Sequence, residues 1–121
     1  MYIKKIVMYD EDEREAEVIV SDGKFDLLCY ALTCENNVGE TNFTLLPFGS
    51  DNIMTSDERK YKIQKLDDGY FAYKLQGKLI ALEKDEGTVQ IGAIIIDNVR
   101  CIPKDIKVGE YIEFTVLRLD I

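Results

Sequence analysis

The segment EAEVIVSDGKFDLLCYALT, Glu15–Thr33, decides the fold because it carries the clearest strand-turn-strand pattern of the chain. Apolar and polar residues alternate over Glu15–Ser21, as expected for a half-buried β-strand. Asp22-Gly23 follows, and this pair between two strand-like runs is a strong hairpin signal, because a type I′ turn requires positive φ at both central residues. Lys24–Thr33 is therefore predicted to be the returning strand.

The two-residue period continues on both sides of this hairpin, and no run of helical period is long enough to predict a helix. Gly77 lies inside a long strand-like run, where it predicts a β-bulge or a bend that curls the sheet. We predict one all-β domain over residues 1–121, a small antiparallel barrel or strongly curled sheet of about seven to eight strands with little helix; a small sandwich fits the same count. The other predicted strands are Tyr2–Tyr9, Asn42–Phe48, Lys60–Gln64, Tyr70–Glu83, Thr88–Ile96 and Glu110–Leu119.

Length and composition are sufficient for such a domain. The chain has 121 residues, of which 46% are hydrophobic. A domain of this size buries roughly two thirds of the surface that its unfolded chain exposes. We therefore expect one hydrophobic core that folds without a disulfide or a structural metal.

The net charge of −8 argues against a polyanionic partner. Proteins bind phosphate backbones mainly through Lys and Arg, and anionic membranes attract the same residues. Nucleic acid is therefore disfavoured, and no membrane association is expected. A local basic patch can act against the overall charge, and the densest basic group of the chain is Arg59, Lys60, Lys62 and Lys65.

The chain contains no histidine, which removes several classes of enzyme. No other side chain has an unperturbed pKa near neutrality. Ser-His-Asp and Cys-His nucleophile systems and zinc sites with histidine ligands cannot be built from this chain alone. We find no catalytic residue set, no metal-ligating motif and no cofactor motif, and we predict that the protein is not an enzyme.

The three cysteines predict reduced thiols. Cys29, Cys34 and Cys101 are too few, and odd in number, for a disulfide framework. We expect Cys29 in the core, where it acts as a small hydrophobic residue. A functional thiol is the minor alternative, and Cys34 is its best candidate because it falls at a strand end, where thiols tend to be accessible. No N-terminal segment pairs a basic start with a long apolar run, so we expect no signal peptide and a cytoplasmic protein.

The layout resembles the OB fold, a small β-barrel. The resemblance lies in the early hairpin Ala16–Phe25 and in the closing segment Ile102–Phe114, where Gly109-Glu110-Tyr111-Ile112 matches the Gly-acidic-x-apolar entry of a late strand in such barrels. It spans most of the chain at the level of the fold. The resemblance implies an oligonucleotide or oligosaccharide ligand on one sheet face and adjacent loops, although this chain is more acidic than the nucleic-acid binders.

The predicted strand Lys24–Thr33 is apolar on both faces, and this gives the candidate binding site. One face carries Phe25, Leu27, Cys29 and Ala31, which we expect in the core. The other face then presents a stripe formed by Leu28, Tyr30 and Leu32. A loop of the same chain, a second subunit or a ligand must cover this stripe, because exposed apolar patches mark partner sites.

The acidic segments are weaker candidates for a functional site. The run Asp10–Glu15 could bind a divalent cation, but Arg14 stands where a calcium loop needs its third ligand, and a solvated charged loop is the simpler interpretation. Asp67-Asp68-Gly69 and Asp85-Glu86-Gly87 fit turns, because Asp and Gly suit turn geometry.

Three functional hypotheses follow. The first is a non-catalytic binding or protein-interaction module, including self-association, that uses Leu28, Tyr30 and Leu32. The second is an OB-type binder of single-stranded nucleic acid or oligosaccharide, with aromatic stacking and the basic group around Lys60. The third and weakest is a metal enzyme that relies on carboxylates alone.

Overall fold

The computed structural model describes residues 1–121 and contains eleven β-strands and no helix. The all-β prediction is therefore confirmed. The strands are β1 (Tyr2–Asp10), β2 (Glu15–Ser21), β3 (Asp26–Ala31), β4 (Leu46–Phe48), β5 (Asp51–Thr55), β6 (Lys62–Lys65), β7 (Tyr73–Glu83), β8 (Glu86–Ile91), β9 (Ile94–Val99), β10 (Tyr111–Val116) and β11 (Arg118–Asp120).

The strands form two sheets that are mostly antiparallel. The five-stranded sheet has the order β1-β2-β3-β11-β4, and the six-stranded sheet has the order β5-β10-β7-β8-β9 with β6 also paired to β7. The chain passes from the second sheet to the first at Leu117, whose N–H donates to Phe48 O over 3.1 Å. A bridge between Leu45 and Ile96 joins the sheets again near β4 and β9. The two sheets pack on one core and do not close into a barrel.

One hydrophobic cluster lies between the sheets. The alternation read from the sequence holds for β2, where Ala16, Val18 and Val20 are fully buried. The same period buries Leu75 of β7 and Phe114 of β10. The cluster contains 23 buried residues drawn from both sheets, so each sheet depends on the other for its buried face.

Asp22 holds two hairpin turns together. The predicted two-residue turn is a four-residue loop, Asp22–Phe25, because Asp22 Oδ1 accepts the N–H groups of Lys24 (2.9 Å) and Phe25 (2.7 Å). Its other oxygen, Oδ2, accepts the Ala93 N–H of the β8–β9 turn over 2.8 Å. Although burial opposes ionisation, the N–H groups of Phe25, Ala93 and Lys24 lower the pKa of Asp22. This carboxylate therefore links a turn of each sheet.

Several predicted boundaries are wrong, because two predicted strands contain a break and one segment outside the predicted strands contains a strand. The predicted strand Thr88–Ile96 is the hairpin of β8 and β9, which reverses at Gly92-Ala93. The predicted strand Glu110–Leu119 divides at Leu117 into β10 and β11. The segment between the predicted strands Asn42–Phe48 and Lys60–Gln64 contains β5. These divisions raise the number of strands above the predicted seven to eight.

Gly77 permits a close approach between β7 and β8. Along one edge of β7 the partner changes from β6, which pairs with Gln76, to β8, which pairs with Lys78. A Cβ on Gly77 would collide with the backbone O of Gln90 and would lie 2.8 Å from side-chain atoms of both Val89 and Ile91. The predicted bulge is therefore not at Gly77, which pairs in register with Ile112; the register shift of β7 lies between Leu79 and Ala81.

We predict that Gly77→Ala destabilises the protein by roughly 1–3 kcal/mol, the usual cost of overpacking a core, because the added methyl group meets backbone and cannot be relieved by a rotamer change. Denaturant unfolding measures this loss. The control is Gly69→Ala, where the nearest atom to the new Cβ is 3.8 Å away, and it should change stability far less. Equal stability of the two variants would contradict the role given to Gly77.

Candidate functional site

The predicted stripe lies on the outer face of the five-stranded sheet. Leu27, Cys29 and Ala31 are buried, as the alternation predicted. On the opposite side of β3, Leu28 and Tyr30 are half-buried, and Leu32, just beyond the end of the strand, is 69% exposed. The structure therefore keeps Leu28 and Tyr30 on one outer face and leaves Leu32 largely uncovered at its end.

Tyr30 belongs to an aromatic row that the sequence did not reveal. The Arg118 guanidinium lies 4.4 Å from the centre of the Tyr30 ring and 4.5 Å from that of Phe48. On its other side Tyr30 contacts Phe71 edge to face at 5.7 Å, and Phe71 contacts Tyr70 at 4.9 Å. We call Phe48, Arg118, Tyr30, Phe71 and Tyr70 the aromatic row. Sequence reasoning missed it because its members come from β3, β4, β11 and the β6–β7 loop.

Arg118 is held in place by Asp120. Two hydrogen bonds join the guanidinium to the carboxylate, over 2.6 and 3.1 Å. The hydrogen bond to Asp120 raises the pKa of Arg118. Both side chains are about one-third exposed, so the pair fixes the guanidinium between the rings while leaving it accessible from solvent.

Charge is distributed unevenly across this face. Directly paired residues of neighbouring strands form rows that run across the sheet. One such row contains Lys5 of β1, Ile19 of β2 and Leu28 of β3. Arg118 and Phe48 extend that row, because β11 runs parallel to β3 and pairs with β4. The next row contains Glu17, Tyr30 and Asp120, and the row beyond it contains Asp10 and Glu15. The row with Lys5 and Arg118 is thus basic, and the two rows on one side of it are acidic. The row on its other side contains Asp26, which pairs with Lys4 over 2.8 Å.

Two carboxylates orient the tyrosines of the acidic part. Tyr30 Oη donates to Glu15 and Tyr9 Oη donates to Glu17, each over 2.5 Å. The hydrogen bond to Glu15 raises the pKa of Tyr30. Burial, followed by the hydrogen bond to Glu17, raises the pKa of Tyr9. Both hydroxyl groups therefore keep their protons to higher pH than a free tyrosine does.

A separate cleft of about 390 Å³ opens beside the β6 strand. Phe25 and Tyr61 provide aromatic surface there, with their ring centres 6.3 Å apart and their planes nearly perpendicular. Tyr61 also contacts Tyr111, whose ring is covered by Arg59 at 5.3 Å. The remaining lining residues are Lys62, Ile63, Gln64, Lys74, Leu75, Gln76 and Glu113.

The basic group predicted near residue 60 is only partly available. Lys62 pairs with Glu58 over 2.7 Å. Lys65 donates to the carbonyl groups of Leu66, Gly69 and Ala72 and so closes the β6–β7 loop. Two of the four cations therefore have close partners within the chain.

The acidic run and the cysteines form no site. Asp10 accepts the N–H groups of Asp12 and Glu13, which shapes an exposed turn. No group of three or more His, Cys, Asp or Glu side chains is placed to hold a metal ion. Cys34, the best candidate for a functional thiol, is fully buried and therefore not accessible. Cys29 is buried in the core as predicted, and that burial raises the pKa of its thiol.

We predict that Glu15→Gln lowers the pKa of Tyr30, because the amide still accepts a hydrogen bond but carries no negative charge to oppose phenolate formation. NMR titration of the tyrosine ring carbons measures this pKa. Since the folded-state pKa of Tyr30 is raised, its contribution to stability is complete below about pH 10, the pKa of the unfolded chain, and is lost as the pH rises through the folded-state value. The substitution should reduce that loss.

Glu11→Gln is the control for this experiment. Glu11 lies in the exposed turn between β1 and β2, so this variant removes the same charge without the contact to Tyr30. A Tyr30 pKa that moves equally in the two variants would show that general charge, rather than the Glu15 contact, sets it.

Comparison with known proteins found no relative. No known protein family, curated protein or solved structure matches the chain. The structure contains no helix long and apolar enough to cross a membrane.

Proposed function

We propose that the chain is a non-catalytic protein-interaction module that binds a second copy of itself through the outer face of the five-stranded sheet. The contact surface includes Leu28, Tyr30 and Leu32 and extends along the aromatic row. We place the protein in the cytoplasm, which agrees with its three free cysteines.

The aromatic row is the observation that carries this proposal. Tyr and Arg are the residue types enriched at the energetic centres of protein interfaces, and aromatic residues are generally enriched in interface cores. Here they stand in contact on a sheet face, with Phe48 52% exposed and Tyr70 62% exposed. The stacking of Arg118 and its pairing with Asp120 reduce the conformational entropy that binding would otherwise cost.

The charge rows favour a second copy as the partner. Two sheets can pack face to face around a two-fold axis that runs parallel to these rows. The row with Lys5 and Arg118 of one copy would then lie opposite the rows with Glu15 and Glu17 of the other copy. Such an arrangement brings opposite charges together twice, which opposes the repulsion expected between two chains of net charge −8.

We predict a monomer–dimer equilibrium that Leu32→Asp and Tyr70→Asp each weaken by at least about tenfold, since a buried carboxylate without a partner is costly. Sedimentation equilibrium measures the dissociation constant. Leu32 is exposed in the single chain and its change should leave stability unaltered, while Tyr70→Asp should cost no more than the contact with Phe71, roughly 0.5–1.5 kcal/mol.

The control variant is Val108→Asp, which introduces the same charge at a residue that is 55% exposed in the β9–β10 connection. It should leave the dissociation constant unchanged. A wild-type chain that stays monomeric near millimolar concentration would overturn the assignment, as would equal weakening by all three variants.

An OB-type binder of nucleic acid or oligosaccharide is the second candidate, favoured by the contact between Phe25, Tyr61 and Tyr111 beside Arg59. The pairing of Lys62 and Lys65 within the chain weakens its nucleic-acid form. That form requires affinity for an oligothymidylate that falls steeply with salt concentration. Fluorescence anisotropy with a labelled strand tests it, and no binding at low salt would remove it.

A further inference from the structure

The cleft beside β6 contains a grid of polar side chains next to its aromatic wall. Lys62 of β6, Gln76 of β7 and Glu113 of β10 lie opposite one another in the pairing register. Gln64 and Lys74 are paired in the next row. Directly opposed residues have Cβ atoms roughly 4.5–5.5 Å apart and share one face of the sheet. Donors and acceptors from three strands therefore converge beside Tyr61.

Gln76 presents a fixed acceptor to this cleft. Its side chain is 97% buried, since its relative exposure is 3%. Its amide N–H₂ donates to Glu58 O (3.3 Å) and Lys60 O (2.9 Å), which determines the direction of the amide. No group of the protein donates to Oε1, yet the structure has no buried polar side-chain atom without a partner. The oxygen therefore keeps some accessible surface, and Gln76 is one of the residues that line the cleft.

The ion pair in the same cleft is loose. Lys74 Nζ and Glu113 Oε2 are 3.9 Å apart, which is longer than a hydrogen bond. The two side chains remain 45% and 26% exposed. Both charges can therefore turn toward a ligand, because little direct interaction is lost when they separate.

We propose that this cleft binds a small zwitterionic molecule with an apolar side chain, of the class of free aromatic or branched amino acids. Glu113 and Gln76 Oε1 accept from the ligand ammonium, and Lys74 donates to its carboxylate. Phe25 and Tyr61 contact the apolar side chain. The site lies on the six-stranded sheet, so this proposal is independent of self-association through the other sheet.

The charge balance of the cleft selects this class of ligand. Among the residues that line the cleft, Lys62 pairs with Glu58 and Lys74 lies near Glu113, so these two lysines offer a polyanion little unpaired positive charge. With an uncharged ligand, the long contact between Lys74 and Glu113 would remain the strongest interaction of each side chain. A ligand that carries both charges replaces their long contact with two charge-assisted hydrogen bonds. The cleft volume of about 390 Å³ lies within the range typical of small-molecule sites.

The test titrates the full chain with four probes. Binding of each probe is measured by NMR, from the chemical-shift change of the Gln76 side-chain amide. The probes are L-phenylalanine, phenethylamine, which has only the ammonium, 3-phenylpropanoate, which has only the carboxylate, and the uncharged N-acetyl-L-phenylalaninamide. Phenylalanine should saturate the shift, and each of the other three should bind at least about tenfold more weakly, because each lost charge removes a charge-assisted hydrogen bond.

Two variants assign the charges. Lys74→Gln should abolish the advantage of phenylalanine over phenethylamine, and Glu113→Gln should abolish its advantage over 3-phenylpropanoate. Lys104 is an exposed residue of the β9–β10 connection, and Lys104→Gln is the matched control. It should change neither the affinity ratio of phenylalanine to phenethylamine nor that of phenylalanine to 3-phenylpropanoate. The proposal is overturned if phenylalanine gives no saturable shift, if the uncharged probe binds equally well, or if the two variants leave both ratios unchanged.

Discussion

The close approach of β8 to Gly77 is the constraint on which the rest of the structure depends. Because of this approach, β7 pairs with β10 along one edge and with two strands along the other edge, β6 and β8 on either side of Gly77. The six-stranded sheet is organised around this single long strand. Any side chain at residue 77 would push the Gln90 carbonyl away and would open the sheet where it lies against the core.

Contacts between the sheets follow from that arrangement. β10 leaves β7 and continues through Leu117 into β11, which pairs with β3 and β4 of the other sheet. At the opposite side, Asp22 binds the turn that follows β8. Leu28 N–H also donates to Tyr73 Oη over 2.9 Å and so connects β3 with β7. These connections hold the core closed on several sides and leave one face of each sheet directed outward.

The two outer faces differ in chemistry. The five-stranded sheet carries a row of contacting rings around Arg118, with charge separated along the strands, and such a face suits a large complementary surface. The six-stranded sheet is covered near Gln76 by the Glu58–Tyr61 segment, which leaves a cleft with a fixed acceptor and a loose ion pair. That arrangement suits a small ligand. The two proposed binding sites therefore lie on different sheets.

The sequence by itself determined the all-β class, the β2–β3 hairpin, the buried positions of Ala16, Val18 and Val20, and the importance of Gly77. These features depend on side-chain alternation and on turn residues, which are local properties of an extended chain. It identified Tyr30 but not its neighbours Phe48, Phe71 and Arg118, nor the cleft around Gln76. Only the tertiary structure decided those, because residues far apart in the chain become neighbours through strand order and register, and no local pattern records which strands will pair.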